Sequence, residues 1–215
     1  MFISAGCLTF CPQSLQPSAA QVHLRSCNIG DIDDSVIATA RNKSSLAYAC
    51  KAGGDNVPVE SLDVTNYDQT MDVAKAAHQR FGRIDILVNN AGYADTASVG
   101  DTSIEDFRKQ VDTHLMGVVH MTKAILPIMR EQGSGYIVQI SSVGARLGSP
   151  GLSAYQSAKW GVSGFSMCLQ AEVKPTGIRV TSLEPGGIRT DWAGSSMNIP
   201  TTSKPYQQTV GAFAK

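Results

Sequence analysis

The chain has 215 residues, a length that suits one domain able to bury its core without disulfides or metals. A formal net charge of +0, with 17% charged residues and no basic run, argues against electrostatic capture of nucleic acid or an anionic membrane surface. Cys7, Cys11, Cys27, Cys50 and Cys168 form neither a Cys-x-x-Cys pair nor a set with histidines at zinc spacing, so they read as reduced thiols and no metal site is expected.

The start, Met1 to Cys7, is apolar but lacks a basic leader region and is too short to span a bilayer, so neither a secretory signal nor a membrane span is expected and the location reads as cytoplasmic. Residues 7–34, with Pro12 and Pro17 and no sustained helical stripe, read as irregular or poorly ordered. From residue 35, short β-branched runs alternate with helical patterns, the signature of a parallel sheet with helices on both faces. Strands are expected over Val36–Ala40, Val57–Leu62, Ile84–Asn89, Tyr136–Ser141 and Ile178–Leu183, apolar on both faces. A helix follows Thr65, capped with help from Asp68 and stopped at Gly82. A second begins near Ser103 and carries an apolar stripe through Phe107, Val111, Leu115, Val119 and Leu126, which reads as core or subunit contact. Gly144 to Gly151 reads as the loop that lets Ser142 and Tyr155 face one pocket. The whole, residues 1–215, is expected to be one α/β domain, a Rossmann-like doubly wound sheet.

Three segments carry chemistry. Ser141-Ser142 precedes Tyr155 and Lys159, which stand four apart on one helix face, so an ammonium can lie beside a phenol. A tyrosine with a pKa of about 10 needs a nearby cation before its anion becomes accessible at neutral pH. Asn89-Asn90-Ala91-Gly92 and Pro185-Gly186-Gly187-Ile188-Arg189-Thr190 each follow a strand, where glycine-containing turns let backbone approach a cofactor. The bland reading of the Tyr155–Lys159 pair is an ordinary amphipathic helix.

With these motifs in this order, the chain resembles the short-chain dehydrogenase/reductase family from about Val36 to about Trp192. The resemblance implies that Ser142, rather than Ser141, orients the substrate oxygen. It implies that Tyr155 is the acid/base and that Lys159 lowers the phenol's pKa and holds the nicotinamide ribose. Asn90, Ile188 and Thr190 would hold the nicotinamide half, and Asp63 would contact adenine, against a plain role as a turn or cap residue. Arg41, at the end of the second strand, is placed to grip a 2'-phosphate, so NADP is expected rather than NAD, the bland alternative being a solvated surface arginine. Residues 193–215 would form a substrate-flap-like tail, and Gly148, Leu152, Trp192 and Met197 are candidates for lining the substrate pocket.

Two departures stand out. The family's glycine-rich turn after the first strand starts as Ile3-Ser4-Ala5-Gly6-Cys7 and is then not recognisable, and the sheet is expected to lack the family's last strand and to have one bare edge. His114 stands where the family carries an asparagine; a satisfied helix histidine and a part in proton relay are both open. The expected activity is hydride transfer between NADP(H) and a small-molecule carbonyl or secondary alcohol. The resemblance also implies a homodimer or homotetramer built through the helices of Leu115 and Phe165. The alternative is a non-catalytic protein of the same fold with impaired cofactor binding.

Overall fold

A computed structural model describes residues 2–5, 36–46, 58–187, 197 and 199–214, with the backbone alone described for 2–5. Six parallel strands form one sheet: β1 (Phe2–Ala5), β2 (Val36–Ala40), β3 (Val59–Ser61), β4 (Ile86–Asn89), β5 (Gly135–Ile140) and β6 (Ile178–Leu183), in the order β3-β2-β1-β4-β5-β6. The order reverses between β1 and β4, which places a switch point, and hence a crevice, at the carboxyl ends of those strands. Among the described residues β6 is an edge strand.

Strand alternation decides what each face meets. Leu87, Ile137 and Val180 stand in register across β4, β5 and β6 and are buried, whereas Val88, Val138 and Thr181 alternate onto the opposite face and are half-buried. Both faces carry apolar residues, as expected from the sequence, and burial is complete on one of them. The buried face also carries Asn89 and Gln139, paired across the strands, where Asn89 Nδ2 donates to Gln139 Oε1 at 2.9 Å. That hydrogen bond satisfies polar groups that would be costly to bury alone.

The buried face is covered by α1 (Tyr67–Phe81), α3 (Gly117–Gln132) and α4 (Ser153–Val173), whose Ala77, Met121, Ile125, Met129 and Leu169 pack with Ile84, Leu87 and Ile137. Each such large side chain contributes roughly 1.5–3 kcal/mol on burial. Helix α1 starts one residue later than its sequence suggests: Asn66 caps it by accepting from the Gln69 backbone N–H, while Thr65 donates to Asp63 instead. Its stop at Gly82 has the left-handed φ of 73° that a glycine adopts without strain.

The long second helical region is not continuous. α2 (Ile104–Val111) passes through a π-helical turn over Asp112–Met116 into α3. The wider turn shifts the facing register, so the fully buried line is Gln110, His114, Met121, Ile125 and Met129. Phe107, Val111, Leu115, Val119 and Leu126, expected as core or subunit contact, lie half-buried on the flank. A short α5 (Val210–Phe213) follows, with Val210 buried. No helix among the described residues is long and apolar enough to cross a membrane, and no cluster of three metal-ligating side chains occurs among them. The segment 7–34 lies outside the described residues, as do Cys7, Cys11, Cys27 and Cys50; Cys168 is an exposed free thiol.

Candidate active site

β5 ends at Ile140 and delivers Ser141 and Ser142 to the carboxyl edge of the sheet. Ser142, extended at φ −165°, caps a short turn over Val143–Ala145 by accepting the Gly144 N–H at 3.0 Å. That bond occupies the oxygen as acceptor and leaves the hydroxyl proton free to donate. Ser141 is turned away: its hydroxyl donates to the Lys159 carbonyl at 3.2 Å and lies 3.0 Å from Ser163 Oγ. The two adjacent serines thus have different work, and only Ser142 faces the phenol.

Helix α4 places Tyr155 and Lys159 one turn apart on its inner face, 7% and 5% exposed. The Ser142 side chain faces the Tyr155 phenol and favours its anion. Lys159 Nζ lies 5.8 Å from the centre of the Tyr155 ring and donates to the Ile140 carbonyl at 2.6 Å. Burial pulls the Lys159 ammonium down to about 8, while burial pushes the Tyr155 phenol up, opposed by Ser142. At rest the Lys159 ammonium is held by the Ile140 carbonyl, and burial is the larger influence on the phenol.

His114 enters from the π-helical turn, 1% exposed, its ring edge-on to Tyr155 at 5.1 Å between centres and 88° between planes. Its Nε2 makes a short hydrogen bond with the Tyr93 carbonyl. The Tyr93 N–H also points at Nε2, at 3.2 Å, so a protonated Nε2 donates to the Tyr93 carbonyl and an unprotonated one accepts from the Tyr93 N–H. Burial, and then the charge of Lys159, lower the imidazole to about 3, so it stays neutral across the physiological range. Nδ1 is buried without a partner among the described residues. Gln110, one turn earlier, accepts from the Asp95 N–H at 3.3 Å, so the π-helical region grips the 93–95 backbone twice.

Beyond β1, β2 and β4 opens a cleft of about 150 Å³ lined by Thr39, Arg41, Asp63, Gly92, Tyr93 and Thr113. Arg41 is exposed at the cleft. Asp63 has the turn role as well as the cleft position: its Oδ1 accepts from both the N–H and the hydroxyl of Thr65. Asn90 lies half-buried in the turn after β4. Ile188, Thr190 and Trp192 fall outside the described residues. On the other side of Tyr155, Ala94, Leu152 and Met197 form an apolar cluster with its ring, and Met197 Sδ lies 3.3 Å from Thr96 Oγ1. Gly148 is exposed and belongs to no such cluster. Sequence reasoning missed Thr96, Ala94 and Gln110, because nothing in their local pattern announces that loop 94–98 folds against the tyrosine.

The open cleft, with a cation at Arg41, an acceptor at Asp63 and the close backbone at Gly92, fits the adenosine half of a dinucleotide. The family model of the short chain dehydrogenases matches residues 29–198. An oxidoreductase named BOA17 from Botryotinia fuckeliana is 58% identical over 85% of this chain and 67% of its own length. A short-chain dehydrogenase from Streptomyces avermitilis has the same fold, with a TM-score of 0.81 and 35% identity over 88% of this chain and 71% of its own. A short chain dehydrogenase/reductase from Burkholderia phymatum, solved in complex with NAD, is 27% identical with a TM-score of 0.70, covering 74% of this chain and 59% of its own. The chain spans about two thirds of the length of the oxidoreductases it matches.

Proposed function

Because the chain belongs to the short-chain dehydrogenase family, we propose that it interconverts a carbonyl and a secondary alcohol with NADP(H), using Tyr155 as the acid/base. The observation that carries this reading is the gathering of Ser142, Tyr155 and the buried Lys159 ammonium, whose Nζ lies 5.8 Å from the Tyr155 ring centre. A nicotinamide cofactor supplies or accepts the hydride. The protein's own groups handle the proton and the charge on oxygen.

In the reductive direction Ser142, its acceptor side taken by Gly144, donates to the substrate oxygen. Tyr155 gives that oxygen its proton, and the phenolate left behind is stabilised by the ammonium over its ring. Burial makes an anion on Tyr155 costly, so the lysine charge is needed at that moment rather than at rest. Arg41 and Asp63 would hold the adenosine end, Arg41 by a charge-assisted grip on a 2'-phosphate. Asn90, Lys159, Ile188 and Thr190 would hold the nicotinamide half.

Tyr155→Phe is expected to abolish turnover, a loss of about 10²–10⁴-fold or more, while NADPH still binds in a fluorescence titration. Undiminished turnover in the variant removes Tyr155 from the mechanism. Failure of the wild type to bind NADPH or NADH favours the non-catalytic alternative, which rests on residues 7–34.

A further inference from the structure

Glu184 sits between β6 and the Pro185–Gly187 turn, outside every motif considered so far. The backbone on either side of it is already stitched to the serine segment: Ser141 N–H donates to the Leu183 carbonyl at 2.8 Å and Val143 N–H to the Pro185 carbonyl at 2.9 Å. Between those two bonds the Glu184 carboxylate meets Arg146, whose Nε reaches both oxygens at 3.1 and 2.9 Å. Arg146 closes the turn that Ser142 caps, its N–H donating to the Val143 carbonyl. From helix α4, Ser163 Oγ donates to Glu184 Oε1 at 3.3 Å.

The charge on Glu184 orients this chain of hydroxyls. A carboxylate only accepts, so Ser163 spends its proton on Glu184, and the single Ser141 proton is shared between Ser163 Oγ, 3.0 Å away, and the Lys159 carbonyl at 3.2 Å. Ser141 in turn reaches the Lys159 carbonyl and directly precedes Ser142. One carboxylate thereby connects the serine turn, the tyrosine–lysine helix and the turn after β6. An exposed ion pair adds little to stability; Arg146 is 65% exposed at its side chain and Glu184 25%. A network spent on the meeting point of the three site-bearing segments acts on their relative placement.

We propose that Glu184 is a positioning residue, which fixes the Ser142 hydroxyl against the Tyr155 phenol by tying Arg146 and Ser163 to the turn after β6. It acts through its neighbours and touches neither hydroxyl. The inference rests on the dehydrogenase reading for its kinetic consequence, but not for its structural one.

The test uses the whole chain as wild type, Glu184→Ala, Glu184→Gln and the swap Arg146→Glu with Glu184→Arg. Two quantities are read: the ¹³Cζ resonance of Tyr155, identified by its loss in Tyr155→Phe, and kcat and KM for NADPH and a carbonyl. In Glu184→Ala the resonance is expected to move toward its position in Ser142→Ala. The same variant should lower kcat about tenfold or more with NADPH KM within about twofold, and Tm should change by no more than about 4 °C. Glu184→Gln, which keeps an acceptor, should fall between, and the swap should regain part of the loss. A Tyr155 resonance unmoved in Glu184→Ala, a kcat within about twofold of wild type, or a joint fall of kcat and Tm that the swap does not reverse overturns the proposal. Absence of turnover with any carbonyl in the wild type defeats the dehydrogenase reading instead, and the Tyr155 resonance then decides the role of Glu184 alone.

Discussion

The imidazole of His114 occupies the space that a side chain on residue 92 would need: a Cβ at Gly92 would stand 2.6 Å from Nδ1. The ring cannot retreat, because the Tyr93 carbonyl holds Nε2 and the Tyr155 ring lies edge-on behind it. Gly92→Ala is therefore expected to cost about 1–3 kcal/mol by overpacking, and to weaken dinucleotide binding through the cleft that Gly92 lines. His114→Asn, with a shorter side chain, should relieve the clash, so the double variant should be more stable than the two single losses predict. Urea unfolding of the four proteins gives the coupling energy directly, and a sum within about 0.5 kcal/mol of additive contradicts the contact.

The same burial makes His114 an acid-sensitive element. Its folded pKa of about 3 lies below the ordinary value of 6.5, so the unfolded chain takes up a proton that the folded chain refuses. Its contribution is intact above pH 6.5 and is lost as pH falls from 6.5 toward 3. At pH 4.5 the loss should be about 2–3 kcal/mol. Asp101, Asp106 and Glu184 are also held below the usual carboxylate range by their hydrogen bonds, so they lose stability in acid with the same sign. They are common to wild type and His114→Asn. The difference between the two proteins in urea midpoint, followed from pH 7.5 to 4.5, isolates the imidazole; parallel curves would show that His114 does titrate freely.

The sheet and its site-bearing strand ends were legible because they rest on local pattern: Val36–Ala40 and Ile178–Leu183 are β-branched runs closed by polar or glycine-bearing turns, and the strands form over those residues. The Tyr155–Lys159 spacing likewise fixes a shared helix face without knowledge of anything distant. What the sequence could not give is register set from afar. The π-helical turn at Asp112–Met116 turns His114 and Gln110 inward and moves Leu115 to the flank, and no periodicity rule at 3.6 residues per turn anticipates it. The lysine's partner was missed for the same reason: the Ile140 carbonyl, which accepts from Nζ, lies at the end of another strand. Glu184 and Arg146 are 38 residues apart and become neighbours only when β5 and β6 pair.

Arg41 sits at the end of β2 beside a cleft with Asp63 and Gly92, where a ribose 2'-phosphate would be the charge it meets. Arg41→Ala is expected to weaken NADPH by about 1.5–3 kcal/mol, roughly 10- to 150-fold in Kd, and to leave NADH nearly unchanged. Arg41→Asp should go further and reverse the preference through repulsion of the phosphate. Fluorescence titration with both reduced cofactors checks this; an equal effect on NADH and NADPH would place Arg41 on solvent rather than on the phosphate.

Met197 packs with Ala94 and Leu152 against the Tyr155 ring, and its sulfur touches the buried Thr96. The wall has no charged member, so the group flanking the reacting carbon should be apolar, and an unbranched, flexible methionine sets its size. Leu152 and Ala94 are fixed by burial at 7% and 0%, which leaves Met197 as the adjustable element. Met197→Ala should therefore shift preference toward bulkier ketones, raising the ratio of kcat/KM for a long-chain over a short-chain methyl ketone by about tenfold, the worth of one or two methylenes in an apolar pocket. Met197→Leu should leave the ratio within about threefold of wild type, because volume is kept. Chain-length preference that ignores Met197→Ala would place the substrate on a different side of the tyrosine, away from the Ala94–Leu152 wall.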